Sequence, residues 1–265
     1  MIKEFAENLC LVEDEKFSVG GLQIGSRMTI VRMNDGNLFV HSPIALSKTI
    51  NDSIDSIGKP RFIIAPNTMH HLFLKQFYDQ YSDTELYIVP GLRKKCPALS
   101  HAKDLVDGTD YPWKKEIKQH HVKGITKLEE VVFFHPQSKT LVLTDLAFYI
   151  TSERSLFTCL FFRLNGVYDK FGPSRIFKHF ILKNKSEFKK SLDYILTWNF
   201  ERIIISHGKL IKKKRKKKKE MMFLLKLLSK SNVPVHGRDQ LLLLFVDKVH
   251  LVFWPEYSSF LTKAL

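Results

Sequence analysis

Short runs of β-branched and aromatic residues alternate with segments of helical spacing along most of the chain. The runs "RMTIVRM" and "NDGNLFVHSP" predict a β-hairpin, because Asp35-Gly36 between them supplies the positive φ angles that a tight turn needs. "RFIIAPN", "ELYIVPG" and "ERIIISHG" are short apolar runs typical of buried strands. "EEVVFFH" and "KTLVLTD", joined by "PQS", predict a second strand pair.

Helical spacing follows several of these strands. The segment "HHLFLKQFYDQY" carries apolar or aromatic residues at 72, 73, 77 and 78, which predicts a helix opened by His70 and His71. Residues 152–164 and 185–198 have helical spacing as well. Because strands alternate with helices and hairpins are mixed in, we predict an α/β (α+β) protein whose mixed sheets are covered by helices.

Length and composition fit a folded chain, since 265 residues of which 44% are hydrophobic can form an ample core. The formal charge is +15, but the run "KKKRKKKK" at 212–219 holds eight of these charges, and +7 remains without it. Composition changes near this run. We therefore predict a main domain at 1–210 and a polybasic, apolar extension at 211–265 that packs on the same domain.

The polybasic run has several interpretations. Eight consecutive cations can neutralise phosphates of nucleic acid or contact an anionic membrane surface. Blocks of like charge are, however, most often solvated, and no aromatic residues are interleaved with these lysines. Contact with nucleic acid or membrane through Lys212 to Lys219 is therefore not the favoured interpretation.

The chain carries no signal for export or for membrane insertion. Its opening segment lacks an apolar stretch of signal-peptide length, and no segment supplies the roughly 18 uninterrupted apolar residues of a spanning helix. The cysteines Cys10, Cys96 and Cys159 lie far apart without a CxxC pair, which argues against disulfides and a cysteine zinc cluster. We expect a cytoplasmic protein.

Candidate chemistry lies where predicted strands end: His70-His71 after "RFII", Asp145 in "TLVLTD" and His207 in "RIIISHG". Strand ends converge in open α/β sheets, and imidazoles with one carboxylate suit zinc or iron. Taken singly, each residue is more often structural, and Asp145 has the alternative role of capping a following helix. Adjacent histidines on a helix point about 100° apart, so they share an ion only if His70 belongs to the loop.

The order of these motifs resembles the metallo-β-lactamase-like hydrolase superfamily, and more narrowly a branch described as domain of unknown function 4336. The resemblance covers residues 15–210 and is carried by "SRMTIVRMNDGNLFVHSP", "APNTMHHLFL", "YIVPGLRKK", "EEVVFFHPQSKTLVLTDLAF" and "SHG". It implies an αββα sandwich, with two mixed sheets covered by helices.

The resemblance also implies that half of the metal site is lost. When the superfamily signature HxHxDH is placed on "PNTMHH", Pro66 and Thr68 stand where the first two histidines are expected. Ile125 in "KGITKLEE" stands in place of the histidine of a Gly-His-Thr turn. These three positions form the first metal position of the family, so a two-metal reaction is not expected.

At the second metal site of the superfamily, each ligand position holds a side chain that can bind a metal. The resemblance implies one zinc or iron ion held by His70, His71, Asp145 and His207, or no metal at all. Four protein ligands would close a tetrahedral zinc site and leave no place for a water. We therefore expect His70 to stand off as a general base, with His70 and Asp145 as the catalytic residues.

The resulting hypothesis is a single-metal hydrolase that acts on a small, unidentified substrate by metal-assisted hydrolysis. Asn67 and His121 are predicted to hydrogen-bond a ligand side chain or the substrate, although a solvated role is the more common one for His121. The alternative is a non-catalytic protein of the same fold that binds a ligand or an anionic partner. Metal retention discriminates between the two.

Overall fold

The computed structural model describes residues 2–151 and 155–211. The predicted start of a helix at 152, the polybasic run and the rest of the predicted extension lie outside the described residues. The domain boundary near residue 210 therefore stays a prediction.

Thirteen strands lie in the described part of the chain. In chain order they are β1 Lys3–Ala6, β2 Leu9–Asp14, β3 Ser18–Val19, β4 Leu22–Gln23, β5 Ser26–Arg32, β6 Asn37–His41, β7 Lys59–Ala65, β8 Glu85–Ile88, β9 Lys103–Asp104, β10 Lys118–His121, β11 Val131–His135, β12 Thr140–Val142 and β13 Arg202–Ile204.

The helices in the same residues are α1 Lys48–Asp55, α2 Leu74–Gln80, α3 Pro90–Lys95, α4 Leu156–Leu164 and α5 Lys185–Leu196, with a 3₁₀ turn at Pro97–Leu99 and a π-helical turn at Phe177–Ile181. Within 2–151 and 155–211, none of them has the length and apolar character that crossing a bilayer requires.

Two mixed sheets form the centre of the fold. The larger sheet has the order β1-β2-β5-β6-β7-β8-β9, antiparallel up to β6 and parallel from there on. The smaller sheet has the order β10-β11-β12-β13, in which only the β12–β13 pair is parallel. The αββα architecture expected from the sequence is confirmed.

Local sequence explains the β5–β6 hairpin of the larger sheet and strand β11 of the smaller sheet. Asp35-Gly36 turns the β5–β6 hairpin, and Gly36 has the positive φ of +82° that the turn requires. In β11, Val131 and Phe133 pack between the two sheets, while Val132 and Phe134 pack on the outer side of the smaller sheet. A strand covered on both faces reads as a continuous apolar run.

Helices cover the outer faces of the sandwich. Ile54 of α1, Phe77 of α2 and Leu92 of α3 belong to the same apolar cluster as the larger sheet. On the other side, Phe188 and Leu192 of α5 pack with the outer face of the smaller sheet. Burial of these apolar faces against the sheets is what stabilises helices as short as these.

The helix after β7 begins later than the sequence predicts. His70 and His71 lie in a turn, and α2 starts only at Leu74. The cause is Asn67, whose side-chain Oδ1 accepts hydrogen bonds from the backbone N–H groups of Met69 and His70 at 2.9 and 3.0 Å. An asparagine that binds nearby N–H groups competes with helix formation.

His41 at the end of β6 is a buried histidine with no hydrogen-bond partner among the described residues. Its side chain is 2% exposed, and neither ring nitrogen is bonded. The ring packs edge-on against Phe133 with centroids 5.3 Å apart. Burial, and secondarily the charge of His70, lower the pKa of His41 to about 3, so the folded protein holds this imidazole neutral.

We predict that His41 makes the protein less stable in acid. The unfolded chain takes up a proton near pH 6.5 whereas the folded chain does not until about pH 3, so the free energy of unfolding falls as the pH drops between these values. The loss should be about 2–3 kcal/mol from pH 7 to pH 4.5. In urea titrations, His41→Leu should remove this part of the slope, whereas substitution of the exposed His179 by Leu should leave it in place. An unchanged slope in His41→Leu would contradict this account.

Candidate metal centre

Three side chains meet at one edge of the sandwich. His70 follows β7 of the larger sheet, while Asp145 and His207 follow the neighbouring parallel strands β12 and β13 of the smaller sheet. His70 Nε2 lies 3.3 Å from Asp145 Oδ2, and His207 Nε2 lies 3.3 Å from Asp145 Oδ1. One ligand atom from each residue lies within 4.8 Å of the others. Two imidazoles and a carboxylate in this arrangement match the ligand sets of zinc and iron.

The far nitrogen of each imidazole is held by a neighbour. His207 Nδ1 lies 2.6 Å from the carbonyl oxygen of Gly25, and His70 Nδ1 lies 2.5 Å from the hydroxyl oxygen of Ser42. A carbonyl only accepts, so His207 carries a proton on Nδ1. In a neutral His207 the nitrogen that faces Asp145 then has the available lone pair, as in a ligating histidine, whereas in a protonated His207 it donates to Asp145.

Asn67 links the turn that carries His70 to the carboxylate. Its Nδ2 donates to Asp145 Oδ2 at 2.8 Å and to Thr144 Oγ1 at 3.0 Å. Its Oδ1 accepts from the backbone of Met69 and His70, as described above. Asn67 is fully buried, and its amide contacts Asp145, one of the three candidate ligands.

Glu130 is a site residue that the sequence analysis missed. It is fully buried, with Oε1 accepting from the Thr144 N–H at 2.7 Å and Oε2 from the Asp145 N–H at 2.8 Å. In "KLEEVVFF" it looks like one of two polar residues ahead of a strand. The only sequence signal is its position directly before a run that is buried on both faces.

The pKa values of the two buried carboxyl groups, Asp145 and Glu130, are shifted in opposite directions. Burial alone would raise the pKa of Asp145, but the positive charge of His70 and hydrogen bonds from His207 and His70 lower it far below its ordinary value. Burial, followed by the charge of Asp145, raises the pKa of Glu130 to about 8. Asp145 is therefore the ionised member of the pair.

The loop that carries His207 is fixed to the larger sheet. Arg27 of β5 donates through Nη1 to the carbonyl of Ile205 and through Nη2 to that of Gly208 at 2.8 Å. Nη2 of the same guanidinium lies 2.6 Å from Glu13 Oε1. Gly208 has a φ of +99°, and a Cβ there would collide with the carbonyl of Tyr149, so only glycine fits directly after His207.

The three positions where the family carries its other metal ligands hold residues engaged elsewhere. The Thr68 hydroxyl donates to the carbonyl of Lys127 at 2.5 Å, and the Thr68 N–H donates to that of Leu128 at 3.0 Å. Ile125 is buried in the apolar cluster behind the smaller sheet. Pro66 is buried and offers only a carbonyl, which accepts from the backbone of β11. The residues present fit one ion and do not fit a second.

Two expectations about the ligand set need correction. His71 lies outside the group of three, with its Nδ1 3.1 Å from the Met69 carbonyl, because the turn after Asn67 directs the two adjacent imidazoles apart. His70 does not stand off from the group, since its Nε2 faces Asp145. Of the four side chains expected from the sequence to hold an ion, the structure thus brings three together.

Two further expectations concern residues around the group. His121 lies on β10, and its backbone N–H donates to Asp107 at 2.9 Å; no hydrogen bond to the three ligand candidates is seen for it in the described residues. Asp145 does not cap a helix, because a turn and isolated β-bridges follow it. The next helix, α4, is capped by the Ser155 side chain.

The fold is that of metallo-β-lactamases. The crystal structure of the DIM-1 metallo-β-lactamase exposed to ceftazidime matches with a TM-score of 0.57 and 16% identity, over 86% of this chain and 94% of that one. A metallo-β-lactamase from Pontibacter korlensis matches with a TM-score of 0.58 and 10% identity, over 87% and 99%. The Flv1 flavodiiron core from Synechocystis sp. PCC6803 matches with a TM-score of 0.58 and 13% identity, over 87% and 61%.

Within this class, a sequence model of one family matches the chain. The model described as "Domain of unknown function (DUF4336)" matches residues 11–160, which is more than half of the chain. The chain belongs to the DUF4336 family, and its fold is shared with metallo-β-lactamases. No curated protein sequence gives a significant match.

We predict that Arg27→Ala destabilises the protein by about 3–5 kcal/mol, because it leaves Glu13 and two carbonyls of the His207 loop without their buried partner. Lys3→Ala is the matched control, since Lys3 bonds the same Glu13 at 3.1 Å but is 64% exposed. It should cost less than about 1 kcal/mol. Free energies of unfolding in urea measure both. Equal effects of the two substitutions would contradict the role assigned to Arg27.

Proposed function

We propose that the protein is a mononuclear metal-dependent hydrolase acting on a small substrate, with the ion held by His70, Asp145 and His207. One observation carries the proposal. The Gly25 carbonyl requires a proton on Nδ1 of His207, so a neutral His207 turns an unprotonated Nε2 toward the Asp145 oxygen 3.3 Å away. Two acceptors at this distance repel each other unless a cation lies between them. A divalent ion bound by both groups meets that need.

Three protein ligands also resolve the difficulty that a four-ligand site presents. Catalytic zinc sites use three side chains and keep the fourth position open, and two histidines with one carboxylate are also the facial triad of mononuclear iron sites. Zinc or iron would each fit this donor set. A bound ion would supply Lewis acidity and bring the pKa of a coordinated water toward 7.

The side chains around the three ligands would keep them in place. The Ser42 hydroxyl and the Gly25 carbonyl orient the two imidazoles, and Asn67 holds one oxygen of Asp145. The ring of Phe148 lies parallel to that of His207, 5.6 Å between centroids, and covers one side of the site. In this proposal His70 binds the ion and does not act as the general base.

Similarity of fold supports metal use but does not name a substrate. The neighbours include metallo-β-lactamases and a metal-soaked flavodiiron core, whose names themselves refer to metal. At 16% identity or less, the likeness extends to the fold alone, and function has to be argued from the site. A β-lactam substrate is therefore not part of the proposal.

The filled first metal position favours a second candidate function. Because Thr68 and Ile125 make structural contacts, these two residues give no support to a two-metal reaction. A protein that keeps the fold, binds no metal and uses the crevice to hold a ligand would show the same losses. In that case His207 would be protonated on both nitrogens and paired with Asp145.

We predict that the purified wild-type protein contains about one equivalent of zinc or iron by elemental analysis. His70→Ala and His207→Ala should each lose it, because each removes one of three ligands. His71→Ala is the control and should retain the metal, since His71 lies outside the group. Loss in His71→Ala would restore the four-ligand set. A wild-type protein without stoichiometric metal, even after reconstitution, would favour the non-catalytic alternative.

Retention of metal would justify a screen with chromogenic carboxylate and phosphate esters. Hydrolysis should be lost in His70→Ala and remain in His71→Ala. Turnover that is equal in wild-type protein and in His70→Ala would show that the activity arises elsewhere.

A further inference from the structure

Glu130 contacts no solvent, yet it bonds to both loops that carry the proposed ligands. It accepts the backbone N–H groups of Thr144 and Asp145, and its Oε2 lies 3.4 Å from Asn67 Nδ2. Because Asn67 in turn accepts the backbone N–H of His70, one buried carboxylate ties the His70 turn to the Asp145 turn. The His70 turn follows a strand of the larger sheet, and the Asp145 turn follows a strand of the smaller sheet.

The charge of Glu130 has no basic partner in the described residues. Its polar neighbours there are two backbone N–H groups, the Thr144 hydroxyl, the Asn67 amide and the second carboxylate, Asp145, and no lysine or arginine pairs with it. A buried carboxylate without a counter-charge is costly. The two N–H bonds that it accepts and its contact with Asn67 are therefore the interactions that hold Glu130 between the two turns.

We propose that Glu130 is a positioning residue of the metal centre. It sets the affinity of the site by fixing the Asp145 backbone and, through Asn67, the orientation of the Asp145 carboxylate. The inference rests on the proposed metal site. It adds a residue that touches neither the ion nor the substrate.

The Glu130→Gln variant tests whether Glu130 orients the Asp145 turn or only fills the space beside it. Glutamine has the same shape, but its amide group cannot accept the second of the two N–H bonds, and the negative charge is gone. The Thr144–Asp145 turn should then shift relative to His70 and His207. Loss of a partner that orients metal ligands typically lowers metal affinity by about 10- to 100-fold.

The matched control is Glu129→Gln, which removes the same charge one residue away. Glu129 accepts a hydrogen bond from the Gly91 N–H at 2.6 Å and so bonds to a different part of the fold. This variant should bind metal as the wild type does.

The experiment is a titration of the metal-free, full-length proteins with Co²⁺, followed by the visible absorption of the bound ion and by competition with a chelator. We expect the affinity of Glu130→Gln to fall by about 10- to 100-fold with a changed cobalt spectrum, while far-UV circular dichroism of the metal-free protein stays unchanged. Wild-type affinity and spectrum in Glu130→Gln would overturn this inference and leave the proposed function standing. A wild-type protein that binds no cobalt would overturn both.

A second variant decides the matter if Glu130→Gln does not fold. Thr144→Val keeps the shape and the backbone N–H but removes the hydroxyl that accepts from Asn67 Nδ2 and interacts with the Glu130 carboxyl, so it loosens the link from Glu130 to Asn67. It should weaken cobalt binding several-fold because Asn67 loses one of the contacts that orient it. Unchanged cobalt affinity in Thr144→Val would overturn the inference.

Discussion

The Asp145 carboxylate faces two imidazoles at once, and the surrounding structure holds all three side chains in a fixed relation. Each carboxylate oxygen lies 3.3 Å from one Nε2 atom. Polar groups buried this deeply have to be bonded, and each imidazole has a partner on its far side. The three side chains and their partners therefore form one polar network, in which the three candidate ligand atoms face one another.

The network depends on the packing of the two sheets. Asp145 and His207 share the smaller sheet, whereas His70 comes from the larger one. The side chains between the sheets include Phe39 and Phe133, whose ring centroids are 5.4 Å apart. Because these apolar side chains set the spacing of the layers, they also set the distance between the imidazoles. Arg27 adds a polar connection between the same two layers beside His207.

The strand ends that meet at the site could be predicted from the sequence for a physical reason. Strands buried on both faces must be apolar throughout, so the polar residue that ends such a run stands out, as His207 does after "RIIIS". The order of the motifs resembles that of the metallo-β-lactamase-like superfamily and so implies the αββα sandwich. Apolar runs and turn signals are local, and the fold follows largely from them.

Other parts of the site depend on contacts that no local pattern reveals. The start of α2 is delayed by the Asn67 side chain, and a helical stripe beginning at His70 gives no hint of that competition. The divergence of His70 and His71 follows from the same turn. Glu130 was missed because burial of a carboxylate depends on N–H groups about 15 residues away, at Thr144 and Asp145.

The contacts made by Thr68 and Ile125 have an evolutionary consequence. A histidine at position 68 would remove the hydroxyl bond to the Lys127 carbonyl, and one at position 125 would place an imidazole in an apolar cluster. Neither change alone would create a site for a second ion, and each would cost stability. A site for a second ion could therefore arise in this chain only if several positions changed together, because each single step would lower stability before it gained a ligand.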